Sequence, residues 1–279
     1  MRSHYESVKR VIAVMRNQID QPLSLHSLAR IGFSSPYHFT RTFRRVTGLP
    51  PSHFLSALRL DVARRLLLHT RRKVIDICYD VGYNSVGTFT RKFTGSFGVP
   101  PTAFRTLAQS QPELDYGRDD LETRAADSPL GHSLSGHVTV PCDFDGLVCV
   151  GAFATPIPQS KPLVCAIARR DGGYEMHDVP EGTAFLFALG LEFPIQPHEC
   201  FHQETALRGG GQAIEVSADG VRGDTDLCLR APLPVDPPIL LFLSNLLEKF
   251  ASEQQRAEPP WPIGALPTGM AVRTPEPRA

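Results

Sequence analysis

Apolar residues recur at helical spacing through the first third of the chain. One stripe predicts a helix over residues 5–20, and another predicts a helix from Pro51 to Leu68. The first stripe consists of Val8, Val11, Ile12, Met15 and Ile19, and the second of Phe54, Leu55, Leu58, Val62 and Leu66. Shorter apolar stripes alternate with glycine and proline around them, which favours a domain of several short helices.

The same succession of residues occurs twice, at an offset of 50 positions. Residues 32–54 read GFSSPYHFTRTFRRVTGLPPSHF, and residues 82–104 read GYNSVGTFTRKFTGSFGVPPTAF. An internal repeat predicts two copies of one structural unit. In each copy we expect a short helix that Gly32 or Gly82 closes in the left-handed conformation, followed by a second helix with two Phe residues on its inner face.

Serine residues stand where the second helix of each copy should begin. Ser34 or Ser35 can cap it in the first copy, and Ser85 in the second. Glycine ends each of these helices at Gly48 and Gly98, and a proline pair opens the next helix. Two short helices joined at a glycine turn, the second with a basic outer face, are typical of a helix-turn-helix module.

Two such units, joined by a helix with the run ALRLDVARRLLL, resemble the DNA-binding domain of AraC/XylS-type transcription regulators. The resemblance covers residues 5–107 and includes the closing segment VPPTAFR. It implies a sequence-specific regulator that binds double-stranded DNA, with RNA polymerase as a further partner. It also implies a companion domain that senses a small-molecule effector or forms a homodimer.

The second helix of each unit is the predicted reading helix. If the joining helix is stiff, the two reading helices enter successive major-groove turns about 34 Å apart. Following the family pattern, the predicted base contacts are Tyr37, Thr40, Arg41, Thr90 and Arg91. The predicted phosphate contacts are Ser35, Arg44, Arg45, Ser85 and Lys92. Gly87 inside the second reading helix is unfavourable for a helix, so we expect the second unit to contribute less specificity.

The net charge of zero conceals two halves of opposite sign. Residues 1–110 contain 17 Lys and Arg against 5 Asp and Glu, a net charge of +12, whereas the remaining residues carry −12. The basic half has the charge that a polyphosphate ligand requires, and it coincides with the repeats. Solvated helix faces explain some of these cations, but not their concentration in one half.

The fold class predicted for the whole chain is multi-domain. We expect an all-α double helix-turn-helix domain at residues 1–107, a polar linker at 108–136 and a β-rich companion domain at 137–255. A proline-rich disordered tail would follow at 256–279. The predicted strands lie around Val138 and Val140, at Leu147 to Phe153, at Lys161–Arg169 and at Thr183–Leu191.

The segment from Pro156 to Leu189 resembles prealbumin-like, carboxypeptidase-regulatory-type β-sandwiches. Gly173-Tyr174 and residues 179–182 would mark turns in that pattern. The competing expectation is an effector-binding α+β domain, but its two helices among the strands have no counterpart here. A helix is predicted from Asp236, with an apolar stripe over residues 239–250 that packs either on its own domain or on a second chain.

Metal binding and catalysis have little support in the sequence. His198, Cys200, His202 and Glu204 alternate and would share one face of a strand, which makes them weak candidate metal ligands. The alternative is a polar loop or an exposed strand face. Neither a nucleophile–base set nor a phosphate loop occurs, so no enzyme activity and no cofactor are predicted. The six cysteines form no CxxC pair and are expected to be reduced.

The location expected for the chain is cytoplasmic. Its polar N-terminus lacks the apolar core of a signal peptide, and the sequence contains no apolar run long enough to span a membrane. Two alternative functions for the companion domain remain open. It is either a pure protein-interaction module or an enzyme fused to a DNA-binding domain.

Overall fold

The computed structural model describes residues 2–110, 132–192 and 205–241. Seven α-helices occupy the first of these ranges, and eight β-strands occupy the other two. The helices are α1 Arg2–Asn17, α2 Leu25–Ile31, α3 Pro36–Thr47, α4 Pro51–His69, α5 Val74–Asp80, α6 Val86–Phe97 and α7 Pro101–Ser110. The strands are β1 His132–Thr139, β2 Gly146–Phe153, β3 Val164–Ile167, β4 Gly173–Val179, β5 Gly182–Glu192, β6 Leu207–Ser217, β7 Gly220–Arg222 and β8 Leu227–Cys228.

The sequence repeat produces two equivalent aromatic cores. In each unit, the Phe pair of the second helix contacts a third Phe at the start of the following helix, and all six rings are buried. The sets are Phe39, Phe43 and Phe54 in the first unit, and Phe89, Phe93 and Phe104 in the second. The edge-on contact has a centroid separation of 5.4 Å in the first unit and 5.5 Å in the second. The repeat is therefore conserved in packing as well as in sequence.

Helix α4 lies between the two units. It contacts α1 and α3 on one side and α5, α6 and α7 on the other. Its buried positions consequently extend around the helix and include the ion pair of Asp61 with Arg64. The single apolar stripe predicted for this helix is only part of its buried surface.

The turns of the two units differ by one residue. Four residues separate α2 from α3, but five separate α5 from α6. The left-handed position therefore falls on Gly82 in the second unit, with φ of 81°, and on Phe33 in the first, with φ of 53°. The prediction that Gly32 adopts this conformation is wrong, because its φ is −76° and it only caps α2.

Opposite effects on stability are expected from exchanging glycine at these two equivalent positions. Phe33→Gly should stabilise the fold by about 1 kcal/mol, because the Phe side chain is 83% exposed and disfavours positive φ. Gly82→Ala should destabilise it by more than that, because a Cβ would lie 2.7 Å from Arg59 Nη2 and 2.8 Å from the carbonyl oxygen of Ile19. Urea midpoints measure both changes, and a stabilised Gly82→Ala variant would contradict the turn geometry.

The companion domain contains two β-sheets. Strands β3, β2, β5, β6 and β7 form an antiparallel five-stranded sheet in that order. Strand β1 pairs antiparallel with β4 and parallel with β8 in a three-stranded sheet. Both sheets contribute to one apolar core, in which the hydroxyl of Tyr174 donates a 2.6 Å hydrogen bond to the Thr225 carbonyl. Burial raises the pKa of Tyr174 to about 12.

Four strands lie where strands were predicted, and the other four were not predicted. Strands β1, β2, β3 and β5 overlap the predicted segments, and residues 179–182 form the turn between β4 and β5. Gly173 and Tyr174 begin β4 rather than forming a turn. The β-rich character of the region is confirmed, whereas its relation to prealbumin-like sandwiches stays a prediction.

The bounds of the predicted linker and C-terminal helix need correction. Helix α7 continues to Ser110 and β1 begins at His132, so residues at both ends of the predicted linker belong to regular elements. Residues 236–241 are not helical, and Leu240 instead forms an isolated bridge to Gln159. The proline pair at 237–238 thus precedes an extended segment. The remainder of the predicted helix and the tail lie outside the described residues.

The companion domain packs directly on the helical domain. Residues Ile239, Leu240 and Leu241 are buried in the same apolar cluster as the cores of the two helix-turn-helix units. The apolar stripe over residues 239–250 was expected to pack either within its own chain or on a second chain. For these three residues, the structure shows packing within the chain. None of the helices in the described ranges has both the length and the apolar character that a bilayer crossing requires.

Candidate nucleic-acid interface

The first reading helix, α3, presents a basic outer surface. Ser35 caps it by accepting a hydrogen bond from the His38 N–H, and Pro36 occupies its first turn. Since Phe39 and Phe43 face the core, the other sides of the helix are outward. The exposed residues on them include Tyr37, Arg41, Arg44 and Arg45. Tyr37 is 81% exposed, which is unusual for a large aromatic side chain unless a partner covers it.

Thr40 lies on the same helix but is half-buried. Its hydroxyl donates a 2.8 Å hydrogen bond to the Pro36 carbonyl, one turn earlier. The proton of this hydroxyl is therefore engaged, while its oxygen lone pairs and its methyl group remain. Thr40 lines one shallow depression together with Leu25, Tyr37, Arg41 and Arg44. The structure thus brings the predicted base contacts of the first unit onto one surface with Arg44 and Arg45.

The second reading helix, α6, has the same orientation within its unit but a sparser surface. Ser85 caps it at the Thr88 N–H, Arg91 and Lys92 are exposed, and Thr90 is half-buried. Gly87 occupies the position that corresponds to Tyr37, and a Cβ there would only make an ordinary contact of 3.9 Å with Ser85 Oγ. The second unit therefore lacks the aromatic side chain of the first.

The arginines of the reading helices differ in their partners from four other arginines of the domain. Within the described part of the chain, Arg41, Arg44, Arg45 and Arg91 form no hydrogen bond or ion pair. By contrast, four other arginines are engaged in the folded domain, namely Arg59, Arg64, Arg72 and Arg105. These eight arginines thus separate into a structural set and a set whose guanidinium donors face solvent.

Arg59 joins the two units, a role that the sequence did not predict. Its Nε and Nη2 donate to the carbonyl oxygens of Ile19 and Gln21, at 3.0 and 2.7 Å. Its guanidinium also lies over the Tyr83 ring of the second unit, 5.9 Å from the centroid. Burial lowers the pKa of Arg59 and raises that of Tyr83. The sequence did contain one signal of this role. The residue 50 positions after Arg59 is not an arginine, so Arg59 has no counterpart in the second unit.

Lys92 is held between the units rather than directed freely into solvent. Its ammonium donates a 3.3 Å hydrogen bond to Ser56 Oγ on α4 and lies 5.8 Å from the centroid of the Tyr83 ring. These contacts restrain the Lys92 ammonium beside α4. The predicted role of Lys92 as a phosphate contact stays a prediction.

The weak metal candidates His198, Cys200 and His202, with Glu204, lie outside the described residues. Within the described ranges, no group of three or more His, Cys, Asp or Glu side chains is arranged to hold a metal ion. Cys78, Cys142 and Cys228 are free thiols. The reading helices are thus the surface with the clearest potential for recognition in the described part of the chain.

Comparison with known proteins relates the helical domain that carries this surface to a protein family. The helix-turn-helix domain family matches residues 28–106. Regulatory protein SoxS of Escherichia coli (strain K12) is 34% identical over 103 residues, which are 37% of this chain and 96% of SoxS. The uncharacterized HTH-type transcriptional regulator YobQ of Bacillus subtilis (strain 168) is 29% identical over 99 residues, 36% of this chain and 41% of YobQ.

Among solved structures, the DNA-binding domain of AdpA in complex with a target DNA is similar to the helical domain. It has 26% sequence identity and a TM-score of 0.36, and the match covers 37% of this chain and 95% of that chain. The assignment to a family therefore rests on the sequence relatives. Because the match to SoxS includes almost the whole of that regulator at 34% identity, the chain belongs to the AraC/XylS family of transcription regulators.

Proposed function

We propose that the chain is a sequence-specific transcription regulator whose helices α3 and α6 read two successive major-groove segments of double-stranded DNA. The observation that carries this proposal is the pair of repeated reading helices, whose exposed guanidinium groups have no protein partner in the described residues. An arginine that is not committed to the fold can bind guanine O6 and N7 or a phosphate. The proposed DNA-binding domain covers residues 1–107.

Base contacts are assigned to residues in the first half of each reading helix. In the first unit these are Tyr37, Thr40 and Arg41, and in the second they are Thr90 and Arg91. The Thr40 methyl group can meet a thymine methyl, since its hydroxyl proton already bonds to Pro36. Gly87 leaves the second helix without a counterpart of Tyr37, which supports a smaller share of specificity for that unit.

Phosphate contacts are assigned to the flanks and to the helix starts. Arg44 and Arg45 extend from the last turn of α3, and Lys92 on α6 is exposed and uses one of its three ammonium donors for Ser56. Ser35 and Ser85 stand at the N-termini of α3 and α6, where backbone N–H groups favour an anion. These contacts would position the protein on DNA without selecting a sequence.

The companion domain is proposed to sense a small molecule, with self-association as the second possibility. The partly enclosed apolar cavity beside β2 and β5 favours the sensor. A pure interaction module would not need such a cavity, and a fused enzyme would need a cluster of titratable groups in a cleft. RNA polymerase and a second copy of the chain are further proposed partners.

The experiment that tests base recognition compares the Arg41→Ala and Arg45→Ala variants. Their binding is measured on DNA that the wild-type protein selects from a random pool. Arg41→Ala is expected to weaken the selected site by about 1–3 kcal/mol and to relax preference at one base pair. Arg45→Ala should weaken selected and random DNA about equally. Equal losses of both variants on both DNAs would refute the assigned roles, and failure to select any sequence would refute the proposed function.

A further inference from the structure

A cavity of about 100 Å³ lies in the companion domain, where it is bordered by the five-stranded sheet and by the segment before residue 242. Its walls are mainly apolar and include Phe153, Phe187, Leu189 and Ile239. The two phenylalanine rings pack edge to face, 5.7 Å apart, and form one side. An apolar cavity of about 150 Å³ accommodates benzene in another protein. The cavity here is smaller but only partly enclosed, so its size and lining suit a molecule no larger than a single ring.

Two of the charged groups at the cavity, Arg230 and Asp236, are paired with each other. Arg230 donates two 2.8 Å hydrogen bonds to the two carboxylate oxygens of Asp236. Burial alone would raise the pKa of Asp236, but the hydrogen bonds from Arg230 and from the Leu233 N–H bring it below its ordinary value. Burial also lowers the pKa of Arg208, another lining residue, which indicates poor hydration there. A charged ligand would have to compete with the Arg230–Asp236 pair, whereas an uncharged one would not.

We propose that this cavity is a binding site for a small, uncharged, apolar molecule about the size of one aromatic ring. The proposal names the class of effector for the regulator described above and, as to its effect on DNA binding, rests on that proposed function. Binding itself rests only on the cavity. The walls also carry two half-buried thiols, Cys149 and Cys165, whose reactivity reports on occupancy.

A short route of contacts leads from the cavity to the second reading helix. Pro158 and Ile239 line the cavity, and the Leu240 N–H donates a 2.9 Å hydrogen bond to the Pro158 carbonyl. Gln159, which follows Pro158 in the chain, accepts a 3.3 Å hydrogen bond from Ser96 Oγ near the end of α6. An occupant that prefers one position of this segment would therefore bias the position of α6, and with it the affinity for DNA.

Binding is tested on the full-length protein with toluene as the probe. At saturating toluene, alkylation of Cys149 and Cys165 by N-ethylmaleimide, resolved by mass spectrometry, should slow by at least about fivefold. The exposed Cys142 and Cys228 serve as internal controls and should not change. Benzoate has a similar ring with a charge and should not protect. Unchanged rates at Cys149 and Cys165, or equal protection by benzoate, would overturn the proposal.

Titration calorimetry provides a second measurement that does not depend on thiol reactivity. Toluene should bind the wild-type protein at one site, and Cys165→Phe should abolish binding, because its ring would occupy the cavity. Cys142→Phe is the matched control at an exposed position and should bind toluene as the wild type does. Binding that survives Cys165→Phe would place the toluene site elsewhere and refute the proposal.

The effect on DNA is tested on the selected site with and without toluene. Toluene should change the dissociation constant for DNA by about fivefold or more, and DNA should change the affinity for toluene by the same factor. The Gln159→Ala variant should still bind toluene and DNA, but each ligand should change the affinity for the other by a smaller factor. If toluene binds and the affinity for DNA stays constant, the proposed coupling between the cavity and α6 is refuted. If the protein selects no DNA, the proposed function fails while the alkylation result still decides the cavity.

Discussion

Raising the salt concentration from 50 to 200 mM is expected to weaken DNA binding by at least about 40-fold. Each phosphate neutralised by a cation contributes a slope near −0.9 to the dependence of log affinity on log salt. The three cationic side chains assigned to phosphates, Arg44, Arg45 and Lys92, give a slope near −2.7, which corresponds to about 40-fold over this range. Further contacts from the basic domain would make the dependence steeper. Fluorescence anisotropy with a labelled duplex at four salt concentrations measures the slope.

Two variants separate the phosphate contacts from the structural cations. Arg44→Ala should reduce the slope by about one unit, because its guanidinium is exposed and no ion pair to it is present in the described residues. Arg72→Ala removes the same charge, but Arg72 is held by Asp80 at 2.7 Å, so the slope should stay close to that of the wild type. A slope near zero for the wild type would exclude an electrostatic interface, and equal effects of both variants would refute this separation.

The helical domain was largely predictable because its sequence patterns are local. The repeat at 50 residues defined the reading helices, the serine caps and the phenylalanine cores, and each depends on residues at most a few turns apart. The turn of the first unit is the exception. A glycine at position 32 suggested the left-handed residue, yet α2 ends one repeat position later than α5, so Phe33 takes that conformation.

The partners of individual arginines could not be predicted from local patterns. In the sequence, Arg41 and Arg59 are both helical arginines in a basic segment. Only tertiary structure shows that Arg59 binds carbonyl groups nearly 40 residues away, whereas Arg41 faces solvent. The same limit applies to α4, whose burial on several sides depends on elements from both units.

The companion domain was predicted only at the level of its class. Strand β2 has a continuous apolar run and was identified, but β6 includes the Gly209–Gly211 run and few apolar residues, which is a weak strand signal. Gly209 and Gly210 are required because a Cβ would lie 2.4 Å from the Cys228 carbonyl oxygen and 2.2 Å from that of Leu186. Such close approaches between distant strands leave no periodic pattern in the sequence.

Asp61→Asn is expected to destabilise the protein by about 3–5 kcal/mol, since it removes the charge that neutralises a buried guanidinium. Asp61 Oδ1 accepts hydrogen bonds of 2.7 and 3.2 Å from Arg64, which is only 1% exposed. Its other oxygen lies 3.4 Å from Arg65.

Urea unfolding of the full-length chain measures this loss, with Asp76→Asn as the control. Asp76 is an exposed acidic residue in the first turn of α5, and its neutralisation should change stability by less than about 0.5 kcal/mol. The double variant Asp61→Leu, Arg64→Met should recover most of the stability, because it removes the buried cation together with its partner. A cost of Asp61→Asn below about 1 kcal/mol would mean that water reaches this pair, and that α4 is less completely enclosed by its neighbours than its packing indicates.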